Sequence, residues 1–167
     1  FGVTPDMITF AKGITNGVIP MGGVIVRGDI YDSIIAQGGQ EQAIEFFHGY
    51  TYSGHSAVCA AALKNLEIIE RDGLLERAKH VGKRLSDGLH SLAADGIIDS
   101  VRGAGAIWAA GLKPDQNCVT IRDTMIRRGV IARSINADTN AFCPPFVITD
   151  QQIDTLLDIF AAAAQGK

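Results

Sequence analysis

Lys12 closes a short apolar run, Met7 to Ala11, whose length and Phe/Ile content suit a buried strand, and glycines begin directly behind it. An ammonium group at a buried strand end loses hydration, so its charged form is disfavoured and its pKa falls towards the range where a neutral amine is populated. Such an amine is a nucleophile that forms a Schiff base with an aldehyde. Gly13, Asn16-Gly17, Pro20 and Gly22-Gly23 keep the following backbone irregular and let something bulky approach it. The simpler role for a lysine here is to snorkel into water from a strand end.

A second unusual segment, Phe46-Phe47-His48-Gly49-Tyr50-Thr51-Tyr52-Ser53-Gly54-His55, stands immediately before a helical pattern. Hydroxyls and free backbone amides at a helix start suit a phosphate, because the amides point outward and the helix dipole favours negative charge. Thr51 and Ser53 are the candidates for that contact. The alternative is that Ser53 or Ser56 caps the helix and the aromatics are core. His55 and Cys59, four apart, imitate a metal pair, but no further ligands stand near them in sequence, and they read as packed residues with no metal site. The third charge of interest is Arg133, at the end of the apolar run Val130-Ile131-Ala132. Its guanidinium either faces solvent or projects into a site, where its planar fork suits a carboxylate.

The elements that must position these residues follow from periodicity. Gly23 to Arg27 reads as a buried strand and Asp29 to Ala36 as a short helix ended by Gly38-Gly39, followed by a polar loop from Gln40 to Glu45. A helix from Ser56 to Arg71 places Val58, Ala62, Leu66 and Ile69 on one face. After Gly73, the residues Leu74, Ala78, Val81, Leu85, Leu89 and Leu92 recur at helical spacing and form an amphipathic scaffold. Ile97 to Val101 and Gly105 to Leu112 read as β segments separated by Arg102-Gly103. Gly103-Ala104-Gly105 is not a dinucleotide fingerprint, since Trp108 replaces the third glycine and no helix follows. A loop from Lys113 to Asn117 leads to a helix from Cys118 to Arg128, with Ile121, Met125 and Ile126 inward and Gly129 as its stop. Val130 to Arg133 is a strand, Asn136 to Cys143 a loop, and Pro144-Pro145 a rigid entry into Phe146-Val147-Ile148. The last helix opens with Thr149 and Gln152 in capping-box spacing and turns Ile153, Leu156, Leu157 and Phe160 to one side. The chain therefore divides into the end of an α/β unit over residues 1–55, a connecting helix over 56–73, and an α+β layer over 74–167.

The whole chain, 167 residues at 47% hydrophobic content and net charge −3, has room for one sizeable core or two small ones. Its 15 Lys and Arg are scattered, which excludes the basic stripe of a nucleic-acid binder. No apolar run approaches the ~18 residues of a membrane span and no signal-peptide layout is present, so the expected location is cytoplasmic. Cys59, Cys118 and Cys143 lack C-x-x-C spacing and read as small apolar fillers. The chain opens on Phe1-Gly2 and enters core-like material at once, which is expected of a piece of a longer polypeptide.

Four segments resemble the class III, fold-type I aminotransferases that use pyridoxal 5'-phosphate, particularly the ω-amino acid:pyruvate group. They are Pro5 to Gly13 with Pro20-Met21-Gly22-Gly23, His48 to His55, Val101 to Gly105, and Pro144 to Ile148. They stand in the family's order over essentially the whole chain and match the C-terminal portion of a family member. The resemblance implies an α/β fold in which the end of the large cofactor-binding domain precedes a small α+β C-terminal domain. It implies that Lys12 holds the cofactor as a Schiff base and later moves the substrate proton. Thr51, with Tyr50 beside it, binds the cofactor phosphate across a dimer interface, and Arg133 takes a substrate carboxylate. The implied activity is transfer of an amino group from an ω-amino acid or amine to a keto acid such as pyruvate, by a homodimer or higher homo-oligomer. Ser56 departs from the family, which has proline there in many members. The aspartate on the pyridine nitrogen, the phosphate cup and the stacking aromatic belong upstream of Phe1, and Asp6 is too near Lys12 to serve. The alternatives are an aminomutase, decarboxylase or racemase on the same scaffold, or a cofactor-free fragment without activity of its own.

Overall fold

The computed structural model describes residues 2–37 and 48–167, which form two compact units, Phe1–Arg71 and Asp72–Lys167. The expected stop at Gly38-Gly39, the loop from Gln40 to Glu45, and Phe46-Phe47 lie outside the described residues.

In the first unit, β1 (Met7–Ala11) pairs antiparallel with β2 (Gly22–Val26), from Met7↔Val26 to Ala11↔Gly22. A single 3-10 turn, Lys12–Thr15, leads out of β1, and α1 (Gly28–Gln37) follows β2. Arg27 ties the open end of this ribbon. Its N–H donates to the Asp6 carbonyl oxygen at 2.9 Å, and its guanidinium pairs with the carboxylates of Asp6 and of Asp29, the latter at 2.5 Å. The hydrogen bond from Arg27 holds the Asp29 carboxyl below its ordinary range. The expectation of buried strands needs correction. Met7 is 58% exposed and Ile25 58%, because the ribbon is two strands wide and no described layer covers its apolar side chains. The ribbon's length and composition match the expectation, and its burial does not.

The helix α2 (Ser56–Arg71) completes this unit. Ala62 is its buried residue, with Val58, Cys59, Ala61, Asn65, Ile68 and Ile69 partly covered. Leu66, expected on the inner face, is 44% exposed. The covered stripe runs through Asn65 instead, four residues after Ala61 and four before Ile69.

The second unit has a core of its own. The helix α3 (Leu74–Ala94) buries Val81, Leu85 and Leu89 completely, as their i, i+4 spacing requires. Each such side chain contributes about 1.5–3 kcal/mol of burial. The strands β3 (Ser100–Ala104), β4 (Ile107–Gly111), β5 (Arg133–Ile135) and β6 (Thr139–Phe142) form an antiparallel sheet in the order β3-β4-β6-β5. It packs with α3, with α4 (Cys118–Arg127) and with α5 (Asp150–Ala164), and Phe142 meets Phe160 edge to face at 5.0 Å. The capping box at Thr149 and Gln152 is present, with both reciprocal bonds made. Asn117 caps α4, accepting from the N–H groups of Val119 and Thr120.

Five expectations shift here. Arg102-Gly103 lies within β3, and the hairpin turns instead at Gly105-Ala106, where Gly105 takes φ +55 and so fits a two-residue loop. Val130 is drawn out of the expected strand because its N–H closes the end of α4 on the Met125 carbonyl oxygen, so Arg133 begins β5 instead of ending a strand. The stretch expected as a loop from Asn136 to Cys143 contains β6, whose four residues are all buried. Ile126 is 49% exposed, and Cys143 is exposed, so neither fills the core.

α3 approaches the β3-β4 turn so closely that a Cβ on Gly82 would stand 1.8 Å from the Gly105 carbonyl oxygen. Both atoms lie on rigid backbone, so Gly82→Ala forces the helix off the hairpin and lowers stability by about 1–3 kcal/mol. Urea denaturation followed by circular dichroism measures it.

A polar seam joins α3 to α5 along their outer sides. Asp150 accepts from His80 at 2.9 Å and pairs with Arg77 at 2.9 Å, while Arg84 makes a two-toothed contact with Asp154 at 2.7 Å. The bond from His80, and then that from Arg77, hold the Asp150 carboxyl below its ordinary range. A depressed carboxylate stabilises the fold above the unfolded pKa of about 3.9, and that stabilisation is lost as pH falls through the folded value. The wild-type chain therefore loses more stability than Asp150→Asn as pH drops from about 5 to below the ordinary aspartate range. Thermal midpoints of both proteins across that range check the difference.

Candidate active site

Lys12 stands where β1 ends, as the first residue of the 3-10 turn, with φ +54. A side chain with a Cβ in this left-handed region costs roughly 1–2 kcal/mol, so the turn must be held by its surroundings. Ala11 before it offers no side-chain cap. Within the turn, Asn16 N–H donates to the Gly13 carbonyl oxygen at 3.2 Å, and the buried Thr15 hydroxyl donates to the Ile19 carbonyl oxygen at 2.6 Å. From α2, the Asn65 amide nitrogen donates to the carbonyl oxygens of Gly13, at 2.9 Å, and Ile14, at 3.1 Å. These are the two residues that follow the lysine. Lys12 itself is exposed, so the desolvation expected at a buried strand end is not supplied by the described residues.

The residues before α2 form a turn rather than an extended cap. Ser53 N–H donates to the Tyr50 carbonyl oxygen at 2.9 Å, Tyr50 N–H donates to the Ser53 hydroxyl at 2.8 Å, and His55 N–H donates to the Tyr52 carbonyl oxygen at 3.2 Å. Gly54 supplies the positive φ of +68 that the bend needs. Of the two hydroxyls expected to meet a phosphate, that of Ser53 is therefore engaged in shaping the turn. The Thr51 hydroxyl is exposed and makes no hydrogen bond among the described residues. Tyr50 and Tyr52 flank it, 81% and 78% exposed.

A cleft of about 490 Å³ opens between this turn and the backbone entering β2. Pro20, Met21 and Gly22 form one wall, and Tyr50, Tyr52 and His55 the other. Neither Lys12 nor Thr51 lines it. The His55 ring leans on Tyr52 at 6.2 Å, and among the described residues no group of three His, Cys, Asp or Glu is placed to hold a metal ion.

Arg133 belongs to the second unit, opposite Ala141 in the β5-β6 register. It is exposed, and its guanidinium has no partner among the described residues, whereas Arg77, Arg84 and Arg102 are each bound to oxygen. Asn65 was not distinguished by residue type or motif. The signal available for it was its position, a polar residue at helical spacing within the apolar stripe of α2.

Comparison with known proteins supplies an independent line. The family model described as aminotransferase class-III matches residues 1–164. The chain is 38% identical over 172 residues to a beta-alanine–pyruvate aminotransferase from Pseudomonas aeruginosa, covering 99% of the chain and 38% of that protein. Among solved structures it matches an (S)-enantioselective omega-transaminase from Thermomicrobium roseum, with TM-score 0.87 and 34% identity over 99% of this chain and 38% of that one. It also matches a PLP-bound amine transaminase from an uncultivated Pseudomonas species, with TM-score 0.86 and 34% identity, covering 99% of this chain and 39% of that one. The chain thus spans well under half the length of the relatives it matches.

Proposed function

The chain belongs to the class-III aminotransferase family, and from that premise we propose that the protein carrying it transfers an amino group from an ω-amino acid or amine to a keto acid such as pyruvate, using pyridoxal 5'-phosphate. The observation that carries this reading is the exposed Lys12 amine, presented by a fixed turn at the end of β1, in a chain that also offers the unengaged hydroxyl of Thr51 before a helix start.

The residues fit the cofactor chemically: a primary amine for its aldehyde, a hydroxyl for its phosphate, and a guanidinium for the carboxylate of a substrate. When bound, pyridoxal phosphate supplies the carbonyl that carries the amino group and the ring that withdraws electrons from the reacting carbon. Lys12 acts first as the nucleophile and, once its amine is free, as the base that moves the proton from the substrate carbon. Thr51, five residues before α2 begins, would hold the phosphate through its hydroxyl, with Tyr50 at its side. The outward placement of Thr51, Tyr50 and Tyr52 supports a role in the neighbouring subunit's site within a homodimer or larger homo-oligomer. Arg133 grips the carboxylate of the amino donor or keto acid through two parallel N–H bonds. In this reading the first unit is the end of the large cofactor-binding domain, and the second is the small α+β C-terminal domain.

Lys12→Ala in the intact protein abolishes the near-visible absorbance that pyridoxal phosphate acquires on joining a lysine amine, and amino transfer with it. Persistence of that band defeats the assignment. Product analysis with and without pyruvate separates a transaminase, which needs the acceptor, from an aminomutase, decarboxylase or racemase.

Arg133→Leu raises KM for a donor bearing a carboxylate by roughly ten- to a hundredfold, the weight of a charge-assisted hydrogen bond. KM for an uncharged amine changes little. Steady-state kinetics on the two donors checks the difference.

A further inference from the structure

The Lys12 side chain is long, and the direction in which it leaves the backbone is set by the turn beneath it. That turn begins in a left-handed conformation at Lys12, is flanked by Gly13, and returns through a second left-handed residue, Asn16, at φ +50. The bond from Asn16 N–H to the Gly13 carbonyl oxygen, at 3.2 Å, closes it from within. The shorter contact comes from outside: the Asn65 amide nitrogen reaches the carbonyl oxygens of both Gly13 and Ile14 across 52 and 51 residues of sequence.

We infer that Asn65 is the positioning residue for Lys12, its two amide hydrogens holding the peptide groups that follow the lysine so that the amine is presented in one direction. The inference rests on the reading of Lys12 as the cofactor-bearing lysine. Its chemistry is specific. Both partners are carbonyl oxygens, so only a group with two hydrogens on one atom satisfies them together, and the NH₂ end of a primary amide does so from mid-helix. An aspartate of the same shape turns a lone pair towards each carbonyl instead. The apolar residues of the same face, Val58, Ala62 and Ile69, dock α2 without fixing the rotation of any peptide group. Asn65 therefore adds direction to a contact that packing alone leaves loose.

The test compares Asn65→Asp and Asn65→Ala with the parent and with Lys12→Ala, each as the intact protein incubated with pyridoxal phosphate. Three quantities are read: the rate at which a borohydride-fixed adduct forms on Lys12, located by peptide mass; kcat and KM with an amine donor and pyruvate; and amide exchange in the peptide covering residues 12–18. The Asn65 variants are expected to keep their far-UV spectrum, exchange faster in that peptide, form the Lys12 adduct about tenfold more slowly, and lose on the order of ten- to a hundredfold in kcat with KM within about twofold. An adduct lost in Lys12→Ala but formed at the parental rate in both Asn65 variants overturns the positioning role alone. An adduct that persists in Lys12→Ala overturns the lysine assignment, and the inference falls with it. If neither Asn65 variant folds, the residue is structural only and the inference also fails.

Discussion

One side-chain amide shared between two backbone carbonyl oxygens is the contact that ties the turn after β1 to helix α2. Asn65 joins the turn at Lys12 to a helix whose other end begins just beyond Thr51. Helix α2 rises about 1.5 Å per residue and does not stretch, so the nine steps from Ser56 to Asn65 set a distance of about 13–14 Å along it. The turn that carries Thr51 and the turn that carries Lys12 are thus tied to one rigid rod. Neither is a free loop, although both are built from glycines, asparagines and hydroxyls that would leave an isolated peptide disordered.

The second unit solves a different problem. Its packing is dense around two glycines of α3, with Gly82 against the backbone of the β3-β4 turn and Gly88 against the Leu157 side chain. Polar groups pin its sheet to α4: the half-buried Ser134 and the buried Asn140 both donate to the Cys118 carbonyl oxygen at 3.0 Å. Arg102 reaches the buried Thr139 hydroxyl at 2.8 Å, so one end of β6 is fixed by hydrogen bonds as well as by apolar contact. The strand that carries Arg133 pairs with β6, which gives that exposed side chain a firm backbone base.

The helices were legible because their apolar stripes are strong and their ends carry chemistry, as in the Thr149 and Gln152 box and the glycine stop at Gly129. Lys12, Thr51 and Arg133 stood out by type and surroundings. β6 was hidden because Thr139-Asn140-Ala141-Phe142 lacks the alternation of a half-buried strand. Its polar residues are buried through partners on β3 and α4 that no local pattern reveals. The β3-β4 hairpin was misplaced because Gly103 stands two residues before Gly105, which makes the true turn, and local composition cannot choose between them. The solvation of Lys12 was unreadable because burial is a property of what packs around a strand, and strand sequence reports only the capacity for it. Asn65 was missed because helical spacing places it on the covered stripe of α2 without naming its partner. Its meaning lies in a contact 52 residues away.

The β1-β2 ribbon has a consequence for handling. Each of its strands has one edge with unpaired N–H and C=O groups among the described residues, and Met7, Ile8, Val24 and Ile25 lie open to solvent. A short, apolar, two-edged ribbon is a template on which other chains can add strands. Its main interruptions are Gly22 and Gly23, and the charges Asp6 and Arg27 neutralise each other at one end, leaving Lys12 at the other. Any preparation that leaves this ribbon uncovered will therefore be governed by colloidal behaviour, with concentration and time deciding how much of it stays dispersed.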